Sequence, residues 1–251
     1  MAACVIALPK CLALPSMKAH SVSQTREEVV TMLARTLLCC IAPLVIAAIP
    51  AAVVAQQLPA DIDATSLARL PYVQRQQAGE TGQRLFDVFV RNSKNPADPL
   101  TGPLAFAAYN IPVANALLDL HDGAVGKGTL DARVRELAIL VACRETNYDL
   151  EWNAHEPAAV KAGVSASVID VIRNRGELAG LDEADAAVVR FGRELLTDHR
   201  MSAATFATAR KLFGDHGAMD LVAVMSTYAV SGFYAIAVDE QMPPGTARLP
   251  R

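Results

Sequence analysis

Apolar residues recur along most of this chain at the three- and four-residue spacings of helices, and no segment shows the two-residue alternation of a strand. Residues 137–143, LAILVAC, are apolar without interruption, so a helix carrying them has no solvent face and belongs in a core, with Thr129 available as its cap. Before it, a first amphipathic helix is predicted from about Val73 to Arg91, its stripe formed by Leu85, Phe86, Phe89 and Val90. The turn-rich stretch Asn92–Pro103 follows, and Pro103 suits the first turn of a helix running toward Asn110. Pro112 restarts or kinks that helix. Val113–His121 then presents Val113, Ala116, Leu117 and Leu120 at helical spacing and stops before GAVGKG.

After LAILVAC, a break near Asn147 precedes a helix that stacks Tyr148, Glu151 and His155 on one face at i, i+3 and i+7. Gly163 suits a left-handed stop. Ser165 caps a short helix with Val168, Ile169 and Ile172 inward. Asp182 caps a helix striped by Ala186, Val189, Phe191 and Leu195, and Ser202 caps another that ends at Gly214. The last helix, Leu221–Val238, is an uncharged stretch of 18 residues, long enough for a membrane span. Ser226, Thr227, Ser231 and Gly232 interrupt it, so a central or subunit-contact helix is expected. The pattern predicts an all-α bundle of about seven or eight helices. Its apolar helix faces exceed what one small bundle can hide, which points to an oligomer.

Composition adds a large Ala-, Leu- and Val-rich core, with 52% hydrophobic and 5% aromatic side chains, and changes the reading of the N-terminus. Leu37–Ala55 is a continuous apolar run preceded by Arg35 and followed by Gln56 and Gln57. It reads as a signal peptide beginning at Met32, cut after Val53-Val54-Ala55. An uncleaved anchor is the alternative, against which Pro43 and Pro50 weigh. The chain thus divides into an N-terminal extension (1–31), the signal peptide (32–55), an arm (56–72), a helical domain (73–243) and a tail (244–251), in a periplasmic or secreted protein with no stable membrane insertion after cleavage. Residues 1–55 carry four of the 23 Lys and Arg and two of the 26 Asp and Glu, so leaving them out takes the net charge from −3 to −5. That excludes a nucleic-acid partner. Cys4, Cys11, Cys39 and Cys40 lie before the cut and Cys143 alone after it, so neither an intrachain disulfide nor dithiol chemistry is expected.

The candidate chemistry lies between Arg133 and Gly163. Glu136 is a carboxylate among apolar neighbours, either a raised-pKa acid or a partner of Arg133 one turn back. His155 is a candidate acid or base that Glu151 can orient from one turn earlier, the alternative being a surface i,i+4 pair. Tyr148 can donate to an oxyanion or simply pack. Pro157 bends the helix beside His155. Trp152 and Cys143 are taken as lining the substrate pocket or its core wall, Cys143 as an inert buried thiol. Glu136, Glu151 and His155 are too few ligands for a metal, so neither metal nor cofactor is expected. His121, His199 and His216 fall near helix ends, where they favour the dipole.

RELAIL, EWNAH, the AG that closes its helix, and the long apolar final helix together resemble the carboxymuconolactone decarboxylase family, which includes alkylhydroperoxidase D, over about Leu70 to Pro243. The resemblance implies an alkylhydroperoxidase D-like helical fold and a trimer or hexamer. The peroxidase's Glu and His correspond to Glu136 and His155, its two CxxC cysteines to Tyr148 and Glu151, and the histidine between them to Leu150. Without those thiols, peroxidase chemistry through Cys143 alone is the weakest option. The resemblance then points to the decarboxylase side of the family and to Glu136 and His155; with Glu151 and Tyr148 added from their own chemistry, the four are the expected catalytic residues of a redox-neutral decarboxylation or isomerisation of a small carboxylated lactone or keto acid. The competing reading is a ligand-binding or scaffold member of the fold.

Overall fold

Every residue from Leu137 to Cys143 is fully buried, and the rest of the described chain is arranged around that run. The computed structural model describes residues 58–89 and 100–251. The N-terminal extension, the signal-peptide reading with its four cysteines, Val90, and most of the turn-rich stretch lie outside them. Among the described residues eight α-helices form: α1 (Gly79–Phe89), α2 (Pro103–Ala107), α3 (Ile111–His121), α4 (Ala132–Glu145), α5 (Asp149–Lys161), α6 (Ala166–Arg173), α7 (Glu183–Leu196) and α8 (Ala203–Ala237), the last kinked at the non-helical Gly214. Among the described residues the only β-type pairing is an isolated bridge between Asp63 and Ala68. The fold is all-α.

α4 is wrapped on several sides, packing against α5, α6, α7 and α8. An isotropic apolar helix demands this, since each Leu or Ile left in water would forfeit ~1.5–3 kcal/mol. α7 can approach because residue 192 is glycine: a Cβ there would stand 2.3 Å from Val141 Cγ1 and 3.1 Å from Met225 Cε. The apolar last helix contributes Leu221, Val224, Met225 and Tyr228 to the same core. A second cluster, with Leu85, Phe86, Leu100 and Leu118 at its centre, joins α1, α2 and α3.

The local signals hold where a side-chain cap or a glycine sets them. Ser165, Asp182 and Ser202 each accept the backbone N–H three residues on, and Gly163 and Gly214 take positive φ of 95° and 73°. Three expectations are corrected. Asp131, not Thr129, caps α4; Thr129 donates through its N–H and hydroxyl to Asp220, both at 2.6 Å. The buried positions of α3 are Ala114 and Leu118, while Val113 and Leu120 of the expected stripe remain 38% exposed. In α7 the buried set is Ala187, Val188, Val189, Phe191 and Gly192, with Ala186 and Leu195 only half-buried. Both helices offer an apolar residue at most positions, so the period alone does not fix which side turns inward.

Residues 244–251 are more than a loose end. Leu249 is buried in the main core, and its N–H donates to Asp149 on the first turn of α5.

Candidate active site

The break between α4 and α5 falls at Asn147, which takes a left-handed φ of 54°. Asparagine tolerates this conformation better than most residues. The chain then returns along α4, so Glu136 on α4 meets His155 on α5: His155 Nδ1 lies 2.8 Å from Glu136 Oε2. Glu151, one turn earlier on α5, approaches the other ring nitrogen, with its Oε2 3.3 Å from Nε2. The three side chains retain only 14–20% exposure, so water does not dilute their interaction. Arg133, the alternative partner for Glu136, instead forms a two-pronged pair with Asp185, both bonds 2.7 Å.

The fourth member comes from α8. The Tyr228 hydroxyl lies 3.1 Å from His155 Nε2, and its ring meets the imidazole edge-on at a centroid distance of 5.0 Å. Nothing in sequence spacing joins residues 73 positions apart. The available hint was chemical, since a tyrosine in a long uncharged helix needs a partner for its hydroxyl once buried.

Burial alone would lower the His155 pKa, but the hydrogen bonds to Glu136 and Glu151 outweigh it and raise the group to about 9. His155 is therefore an imidazolium at neutral pH, donating from both nitrogens. Burial, with the Glu151 charge next, pushes the Tyr228 phenol upward, so it stays protonated. Tyr228 and Glu151 open onto a cavity of about 260 Å³ whose walls include His121, Thr227, Ser231 and Leu104. His121 thus does more than end a helix: its ring lies 6.4 Å from that of Tyr228.

The other expected residues divide. Tyr148 shares α5's start, but its hydroxyl donates to Glu240 at 3.4 Å, so the donor placed against His155 is Tyr228 instead. Trp152 does not line the cavity; it is buried, donates to Glu156 and carries Arg173 over its ring. Cys143 is fully buried, and desolvation, with Glu151 next, drives its thiol well above its ordinary pKa; it offers no thiolate to a peroxide. Among the described residues, no cluster of three or more His, Cys, Asp and Glu is arranged to hold a metal ion.

Among the described residues, the fold is all-helical around the apolar α4, and the α4–α5 hairpin carries a carboxylate–imidazole–carboxylate group. Residues 112–191, from α3 into α7, match the model of the Carboxymuconolactone decarboxylase family, to which that segment is therefore similar. The match includes Glu136, Glu151 and His155 and leaves out Tyr228 and Glu240. No curated protein matches the chain.

Proposed function

We propose that this protein is an exported enzyme that decarboxylates or isomerises a small carboxylated lactone or keto acid without a redox step. The match of residues 112–191 to the family model supports carboxymuconolactone decarboxylase-like chemistry at the level of the family. The observation that carries the finer reading is the engagement of both His155 nitrogens, Nδ1 by Glu136 and Nε2 by Tyr228 and Glu151, of which Tyr228 and Glu151 line the cavity and stand between it and the imidazole.

The steps follow from charge. Loss of carbon dioxide leaves an electron pair that the adjacent carbonyl takes up as an enolate. Tyr228 donates to the enolate oxygen, and His155 replaces the Tyr228 proton through Nε2, so carbon dioxide and an enol leave and His155 regains its proton from water. In isomerisation, the Glu151 carboxylate in the cavity wall removes the α-proton, Tyr228 stabilises the same oxyanion, and the Glu151 carboxyl returns the proton at the conjugated carbon, which restores its carboxylate. Glu136 keeps the imidazolium charge paired throughout. Arg135 is a candidate partner for the substrate carboxylate: its Nε is buried without a hydrogen-bond partner, and its positive charge acts on Tyr228.

The test offers the protein a panel of carboxylated lactones and cyclic keto acids and follows carbon dioxide release and solvent deuterium incorporation. A substrate is expected whose turnover falls by about 10²-fold or more in His155→Ala and by about tenfold or more in Tyr228→Phe. Arg135→Met is expected mainly to raise KM. Wild-type turnover by folded His155→Ala would overturn the mechanism. For export, N-terminal sequencing of the secreted material is expected to begin at Gln56.

A further inference from the structure

A second cleft, of about 330 Å³, lies between the start of α5 and the segment that follows α8. It shares no lining residue with the cavity beside His155. Leu150, Ala235, Ile236 and Met242 give it apolar wall, and the Tyr148–Glu240 pair gives it a polar side. Most of its charges are already matched. Asp149 is held by Arg251 at 2.7 Å, and Asp239 faces Arg69 at 3.4 Å. Glu240 and Arg248 are left, and among the described residues Arg248 has no ion-pair partner.

We propose that this cleft binds a small amphipathic carboxylate, its anionic end paired with the Arg248 guanidinium and hydrogen-bonded by the protonated carboxyl of Glu240, its apolar body against Ile236 and Leu150. The carboxyl is able to play that part. Burial, and then the charge of Glu151, raise Glu240 to about 7, against a smaller opposing effect of the Tyr148 hydrogen bond. The groups that act on it come from three parts of the fold, Tyr148 at the cap of α5, Glu151 within α5 and Tyr72 from the arm, while Asp239, Arg248 and Arg251 line the same cleft. An incoming anion adds a second negative charge beside Glu240 and favours its protonated form, so binding takes up a proton. An apolar wall with one unmatched guanidinium and one neutral acid suits a monocarboxylate, whereas an amide of the same shape offers Arg248 a single neutral acceptor and no charge. This assignment stands whether or not the His155 cavity proves catalytic.

The experiment is titration calorimetry of the full chain with benzoate, using benzamide as the uncharged control, at pH 6 and pH 8. Benzoate is expected to bind at pH 6 and to weaken about fivefold or more by pH 8, with benzamide weaker than either. Glu240→Gln is expected to bind with an affinity that no longer depends on pH over this range. Arg248→Ala, at an exposed position, is expected to lose about fivefold or more at both values. Tyr228→Phe is expected to leave binding unchanged, because it alters only the other cavity. Binding equal for benzoate and benzamide, wild-type affinity independent of pH, or indifference to Arg248→Ala would each overturn the assignment. So would loss of binding in Tyr228→Phe, which would put the ligand beside His155.

Discussion

His155 holds its proton because two carboxylates surround it, and this makes its ionisation a property of the fold. Its pKa, about 9 in the folded protein, stands above its ordinary 6.5. Folding therefore binds the proton more tightly, and the resulting stabilisation is complete below about pH 6.5 and lost as pH rises through about 9. Its size is on the order of 3 kcal/mol. Glu240 also has a raised pKa and weakens the fold in the same direction over a lower range, so the informative quantity is the difference between two proteins. His155→Gln is expected to flatten the fall in urea-measured stability between pH 6.5 and 9 relative to wild type. Glu136→Gln is expected to lower the His155 pKa, read from the ring resonances by NMR, by about one unit or more; an unchanged titration would show that Glu136 does not hold the charge. At this scale the sequence was half legible. Glu151 and His155 are neighbours by helical spacing, and Glu136 was marked by its apolar surroundings. The Glu136–His155 bond needs the hairpin, and Tyr228 needs α8 to be folded against it.

Helices are fixed by two kinds of residue here, and only one kind is visible in advance. Ser165, Asp182, Ser202 and Gly163 act through their own backbone within a turn, so the chain's punctuation could be read directly. The facing of α3 and α7 depends on which neighbour fills the space: the α3 stripe was misjudged by one residue, and in α7 Val189 and Phe191 are buried as expected while Ala186 and Leu195 are not. Gly192 is such a case: an ordinary helix-interior glycine by sequence, it is required by the Val141 methyl 2.3 Å from where a Cβ would stand. Gly192→Ala would gain about 1 kcal/mol in an isolated helix. In this core it is expected to destabilise by about 1–3 kcal/mol, because α7 must move away from α4 and Met225. Equilibrium denaturation decides between the two signs.

Across the whole molecule, apolar surface and chain ends behave differently from what a segment-by-segment reading supplies. Phe233 is 59% exposed, Ile236 56% and Met219 51%, all on α8, and Val113 and Leu120 of α3 are also exposed. Self-association through these faces is our proposal for the surplus apolar surface. Sedimentation is expected to show a species larger than a monomer that Phe233→Glu reduces; a monomeric wild type would remove the proposal. The tail is a clearer case of long-range order. Residues 244–251 carry no helical period and read as an appendage, but Asp149, its side chain 6% exposed, accepts from Leu249 N–H at 2.8 Å and from Arg251 at 2.7 Å. Asn153 and Arg144 donate to the carbonyls of Ala247 and Pro250, both at 2.9 Å. Asp149 is on the first turn of α5, two residues before Glu151, so the tail clamps the end of the helix that carries the proposed chemistry. Removing residues 247–251 leaves Asp149 a buried carboxylate without its partners, a condition that costs more than the lost bonds. Truncation is expected to destabilise by about 2–4 kcal/mol, and Asp149→Asn alone by about 1–3 kcal/mol. Combined, they are expected to cost clearly less than their sum, because the Asn relieves the charge that truncation strands. Strict additivity in denaturant unfolding would show that the tail and Asp149 act separately.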